Sequence, residues 1–134
     1  MSKRIIVADD EPDISLLVSL LLRDYTVTRA RCGEEALALI RQQRPDLAIL
    51  DISMPDLSGM EVARALFADP WTASIPIIFL SALGEPIEIE AGLAVGVANY
   101  LVKPIEPDEL LKAVNKLMQP VPSLAARENK HRRE

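Results

Sequence analysis

Five short apolar runs, separated by stretches whose apolar residues recur at helical spacing, leave this chain few folds to choose from. The runs are Arg4–Ala8, Tyr25–Ala30, Asp46–Leu50, Ile75–Leu80 and Asn99–Val102. Ile5-Ile6-Val7-Ala8, Leu47-Ala48-Ile49-Leu50 and Ile77-Ile78-Phe79-Leu80 are apolar throughout rather than alternating, the pattern of strands buried on both faces in a parallel sheet. Between them, Ile14, Leu17, Val18 and Leu21 fall at i, i+3, i+4 and i+7, as do Leu110, Ala113, Val114 and Leu117. Shorter stripes are Ala36, Leu39, Ile40 and Met60, Ala63, Phe67. Pro86–Val95 reads as the fourth helix in chain order, opened by proline and weakened by Gly92, while Pro12 and Pro107 open the first and last helices. Strand and helix alternate five times, so right-handed crossovers place helices on both faces of a parallel sheet, an α/β fold.

The chain has 134 residues, the size of one domain. We expect residues 1–119 to form it and residues 120–134, with Pro120, Pro122 and the polar run to Glu134, to be a linker or tail. A second large domain is not expected within this length. No apolar run reaches the roughly 18 residues of a membrane span, and Asp9-Asp10 comes too early for a secretory signal; a cytoplasmic location is expected. Cys32 stands alone, so no intrachain disulfide can form, and a small, partly buried side chain is the expectation. Arg127, Lys130, Arg132 and Arg133 against Glu128 and Glu134 put the last 16 residues at +2, so the remainder carries −7 of the net −5. An acidic body argues against nucleic acid as a direct ligand and suits a cation site.

In such a sheet a site forms beyond the carboxyl ends of the strands. There the sequence puts Asp9-Asp10-Glu11, Asp51, Ser81-Ala82 and Lys103-Pro104. Singly, an Asp or Ser after a strand is a turn or cap residue, and a Lys is surface. Together they are costly, because crowded carboxylates repel unless a cation or proton relieves them. Mg2+ suits one or two carboxylates with waters and a phosphate. A carboxylate nucleophile can form an aspartyl phosphate while metal and ammonium neutralise the transferring group. Asp51, on the predicted central strand, is the expected nucleophile, with Lys103 as counter-charge and Ser81 as hydroxyl.

Four stretches then carry a family resemblance: Ile6-Val7-Ala8-Asp9-Asp10-Glu11-Pro12, Leu50-Asp51-Ile52-Ser53-Met54-Pro55-Asp56-Leu57-Ser58-Gly59, Phe79-Leu80-Ser81-Ala82 and Tyr100-Leu101-Val102-Lys103-Pro104. In order and at these spacings, over roughly Lys3 to Met118, the chain resembles the receiver domains of two-component response regulators. The resemblance implies a flavodoxin-like sheet of order 2-1-3-4-5. It also implies a switch rather than an enzyme, with Asp51 accepting phosphate from a histidine kinase or phosphotransfer protein. It makes Asp10 a direct Mg2+ ligand beside Asp51, Asp9 a ligand through water, and Ser53 a ligand through its backbone carbonyl. It gives Lys103 the phosphoryl group and the Asp51 carboxylate as partners, and a cis Lys103–Pro104 bond, which proline permits. Ser81 and Tyr100 become the switch pair: Ser81 moves toward the phosphoryl group and Tyr100 turns inward. The face of the Pro86–Val95 helix, fifth strand and last helix then changes toward an output protein or domain.

Some positions depart from the common pattern. Ser81 stands where many relatives have threonine, and Val97-Ala98-Asn99 replaces frequent acidic residues. Phosphorylation-dependent homodimerisation belongs to the implied partnerships, but Glu88 and Glu90, without a basic residue on their segment, speak against the charged dimer of winged-helix regulators. Glu106 is a poor cap before Pro107, so that helix start is expected to fray. Apolar Leu83 is expected to slow phosphoryl hydrolysis. Three readings stand beside this one. A haloacid-dehalogenase-type phosphohydrolase needs a second Asp where Ser53 stands, and a cap domain. A phosphate-independent receiver-like module usually loses an acid or the lysine. A flavodoxin-like cofactor binder needs a Gly-rich loop where Asp9-Asp10-Glu11-Pro12 would repel phosphate.

Overall fold

The computed structural model of the protein describes residues 3–82 and 98–118. The elements are β1 (Arg4–Ala8), α1 (Pro12–Leu21), β2 (Thr26–Ala30), α2 (Gly33–Gln43), β3 (Leu47–Asp51), α3 (Gly59–Phe67), β4 (Ile77–Ser81), β5 (Asn99–Val102) and α4 (Pro107–Met118). The helix expected at Pro86–Val95, with Glu88, Glu90 and Gly92, lies outside the described residues, as do Leu83, Val97 and the tail from Pro120.

The five strands form one parallel sheet of order β2-β1-β3-β4-β5, the order expected for a flavodoxin-like fold. Its central strands bury both faces, as their continuous apolar runs require. Ile6, Ala8, Ala48, Leu50, Ile77 and Phe79 face α2 and α3 across one cluster. Ile5, Val7, Leu47, Ile49, Ile78 and Leu80 face α1 and α4 across the other. Neighbouring residues thus alternate between two cores separated only by the sheet.

Three sequence expectations shift. Strand three begins at Leu47 and includes Asp51, and strand four begins at Ile77 and includes Ser81. Pro76 has no N–H to give a ladder, and Asp46 is occupied by Arg4, accepting its N–H at Oδ2 over 2.8 Å and donating its own N–H to the Arg4 carbonyl. The buried face of α1 is turned: Ser15 and Val18 are buried, Leu22 after them, while Leu17 is 37% exposed. Ser15 goes inward because its hydroxyl donates to the Pro12 carbonyl and accepts from Arg29 Nε. On α3 the buried stripe is Gly59, Val62, Ala63 and Leu66, with Met60 and Phe67 only partly buried.

At the amino ends of the strands, α2 closes on Arg44, whose φ of 48° lies in the left-handed region usually left to glycine. Arg44 Nε donates to the Trp71 carbonyl, its guanidinium lies 4.5 Å from the Trp71 ring centroid, and Trp71 Nε1 donates to the Arg41 carbonyl. These contacts tie the last turn of α2 to the loop before β4. Among the described residues no helix is long and apolar enough to cross a membrane.

Candidate functional site

Parallel strands deliver their last residues to one edge. Asp9 follows β1, Asp51 ends β3, Ser81 ends β4 and Lys103 follows β5. Register aligns them: Asp51 pairs with Leu80, and Ser81 with Val102. The structure therefore brings to one edge the strand ends that the sequence assigned there, while Tyr100, the implied switch partner of Ser81, lies further back on β5, 37% exposed.

Carboxylate oxygens of Asp9, Asp10 and Asp51 lie within 4.8 Å of one another. Asp9 and Asp51 are buried and Asp10 is exposed, so the cluster opens to solvent on one side. The Lys103 ammonium reaches Asp9 Oδ2 at 2.9 Å, Glu11 Oε1 at 3.1 Å and Asp51 Oδ2 at 3.2 Å. The Asp9 contact is an ion pair without hydrogen-bond alignment. Glu11 is the nearby acid of the sequence pattern, here drawn onto the lysine. Asp9 Oδ1 accepts the Glu11 N–H at 2.9 Å and Asp51 Oδ1 accepts the Ser53 N–H at 3.1 Å, so each buried acid is oriented by its own following turn.

The electrostatics are unbalanced. Burial first, and then the charge of Asp9, push the Asp51 carboxyl up to about 7, against the Ser53 N–H and Lys103, which favour the charged form. Burial pulls the Lys103 ammonium down, but Asp9 and Glu11 beside it and the charge of Asp51 outweigh this and hold it above the ordinary lysine value. A single ammonium leaves three clustered carboxylates with excess negative charge. A hard cation with oxygen ligands fits that set, and the cluster is typical of the metal-binding pocket of a receiver. Ser81 Oγ is buried and has no hydrogen-bond partner among the described residues, an unmet demand beside the acids. The Lys103–Pro104 bond is cis, as expected.

Asp56 is the residue that sequence reasoning missed. In the sequence it stands inside a motif with no role of its own, yet its Oδ1 accepts the Gly33 N–H and its Oδ2 the Glu34 N–H, both at 2.8 Å. Those bonds, chiefly the one from Glu34, hold its carboxyl well below the usual range. No local signal gives this away, because the partners lie 23 and 22 residues upstream.

Comparison with known proteins agrees with this geometry. Residues 5–115 match the response regulator receiver domain family. The phosphate regulon transcriptional regulatory protein PhoB of Pseudomonas aeruginosa is 41% identical over 119 residues, covering 85% of this chain and 52% of that protein. The DNA-binding response regulator MtrA of Mycolicibacterium smegmatis is 35% identical over 116 residues, covering 85% of this chain and 50% of that one. The chain thus spans about half the length of the curated relatives it matches. Among solved structures, chemotaxis protein CheY4 of Vibrio cholerae superposes with a TM-score of 0.80 at 33% identity, covering 88% of this chain and 100% of that one. A response regulator from Chloroflexus aurantiacus superposes at 0.82 with 34% identity, covering 87% and 98%. Such a domain is a signalling module rather than an enzyme in the usual sense, and the edge that gathers Asp9, Asp10 and Asp51 is where its family keeps its acidic pocket. On sequence, topology and site alike, this chain belongs to the receiver-domain family of two-component response regulators.

Proposed function

We propose that the domain is a phosphoryl-accepting switch in which Asp51 is the acceptor. The observation that carries this is the buried Asp51 carboxylate, 3.2 Å from Lys103 and grouped with Asp9 and Asp10. The donor is a histidine kinase or phosphotransfer protein. An Asp51 oxygen forms a bond to phosphorus as the bond from phosphorus to the donor imidazole breaks, and that nitrogen leaves with the electron pair and takes a proton. Asp10, Asp51, the Ser53 carbonyl and Asp9 through water would hold Mg2+, which supplies positive charge to the phosphoryl oxygens. Lys103 leaves part of its carboxylate contacts to face the phosphoryl group, and the Ser53 N–H keeps Asp51 oriented.

Ser81 Oγ, buried and without a hydrogen-bond partner among the described residues, is suited to donate to a phosphoryl oxygen. Its shift frees space toward which Tyr100, exposed on the edge strand, turns, and the surface around β5 and α4 carries the change to an output protein or domain. Residues 1–119 form this unit, with 120–134 as a tail or linker. An enzymatic phosphohydrolase finds no support, since Ser53 occupies the position of the second acid.

The test is intact-mass measurement after incubation with acetyl phosphate and Mg2+. One phosphoryl adduct is expected on the wild type, and none on Asp51→Ala or without the metal. A folded, Mg2+-binding wild type that stays unmodified would overturn the proposal in favour of a phosphate-independent module.

A further inference from the structure

The loop from Ile52 to Ser58 carries the Ser53 carbonyl, and it is pinned at three places. Gly59 donates its N–H to the Ile52 carbonyl at 2.9 Å, and a Cβ at Gly59 would stand 2.5 Å from the Asp51 carbonyl oxygen. Ser58 caps α3 through a capping box with Glu61, each side chain accepting from the other's backbone N–H. The third pin leaves the loop altogether. Asp56 spans to α2 and receives the Gly33 and Glu34 N–H groups, one on each oxygen.

The cap of α2 is therefore borrowed. Cys32, its own cap residue, makes no side-chain capping bond, and a carboxylate from another loop satisfies two of the orphan donors of the first turn. Close packing seals the contact: a Cβ at Gly33 would overlap the Leu57 carbonyl oxygen and stand 2.7 Å from Leu57 Cβ. Helix α2 lies against the sheet through Ala36 and Ile40, so it offers the loop a fixed support.

We propose that Asp56, docked on the α2 N-terminus, is a positioning residue for metal binding: it holds the loop so that the Ser53 carbonyl faces the acidic cluster. This rests on the Mg2+ reading of the site. Asp56 touches neither metal nor phosphoryl group, and it acts through three residues of backbone. A ligand carbonyl has no side-chain rotamer to adjust, so its aim depends wholly on the loop that carries it.

Two readouts on the whole chain test this. Amide hydrogen exchange without metal reads the clamp itself: exchange at Ser53, Met54 and Leu57 should quicken roughly tenfold in Asp56→Ala. Calorimetric titration with Mg2+ reads the consequence: the Kd should rise roughly tenfold in Asp56→Ala, the order seen when outer partners of metal ligands are removed. Asp56→Asn keeps one acceptor oxygen and should recover part of both effects. Gly33→Ala, which pushes Leu57 away without touching the carboxylate, should reproduce the loss of affinity. Thr72→Val removes a buried hydroxyl bond to the Leu66 carbonyl, remote from the site, and should lower stability while leaving the Kd unchanged. Asp56→Ala with wild-type Kd would overturn the inference, as would an equal rise in Thr72→Val. A wild type that binds no Mg2+ would instead overturn the proposed function, and the exchange arm would still report whether Asp56 holds the loop.

Discussion

Asp51 is 3% exposed, and burial with the charge of Asp9 raises its carboxyl from an ordinary 3.8 to about 7. The folded state therefore holds a proton on Asp51 over a range where the unfolded chain has lost it. Without metal, stability should fall as pH rises from about 4 to about 7 and then level off. Urea unfolding in chelator at pH 5 and pH 8 checks this, and Asp51→Asn should flatten this component and gain about 1–3 kcal/mol at pH 8. Mg2+ at pH 8 should return much of the lost stability to the wild type by mass action and little to Asp51→Asn. Asp9, Asp10, Asp51, Ser81 and Lys103 were legible because a parallel sheet sends strand ends to one edge, so counting to the ends of apolar runs finds them. Asp56 was not, because its partners lie across the fold and its local pattern is that of any turn acid.

Helix α1 shows where periodicity misleads. Its leucines recur so densely that several stripes compete, and the one that wins is decided by Ser15, drawn inward through Arg29. That leaves Leu16, Leu17 and Leu20 exposed at 44%, 37% and 57% on a helix that opens directly after the acidic cluster. Large apolar side chains exposed on one helix are candidates for a contact surface, and under the proposed function a phosphohistidine donor would approach Asp51 past this helix. Leu16→Ser with Leu20→Ser should alter stability by less than about 0.5 kcal/mol per site. Transfer from a phosphorylated histidine donor should slow by an order of magnitude in stopped-flow or gel assays, with labelling by acetyl phosphate unchanged. Equal slowing with both donors would show that the patch serves folding of the site instead. Helix α3 makes the converse case. Its capping box is readable from Ser58 and Glu61, and Ser58→Ala should cost about 1 kcal/mol in thermal or urea unfolding.

Across the whole molecule, one sheet divides two cores, and every central strand contributes alternately to both. Ile49→Ala and Leu50→Ala lie on opposite faces, yet each should cost about 2–5 kcal/mol. Both should shift a single unfolding transition rather than split it, because neither core exists without the shared sheet. The class of fold was legible from this double burial, since no alternating strand pattern competes with it. The strand order was not written in the apolar runs themselves; it came with the family resemblance that the four motifs carry, and the sheet has that order. Strand starts were misjudged by one or two residues, at Pro76, which has no N–H for the ladder, and at Asp46, whose side chain takes the Arg4 N–H.

Trp71, the chain's single tryptophan, is braced against Arg44 and Arg41 at the amino ends of the strands, while Asp51 sits at their carboxyl ends. The protein thus carries a natural lamp at the end of the sheet farthest from its chemistry. Light from that lamp measures the stiffness of the plate between them. An emission that stays constant through the proposed phosphorylation of Asp51 would mean that the sheet confines the change to one rim. An emission that moves means the whole plate flexes, and the signal then has two rims from which to leave.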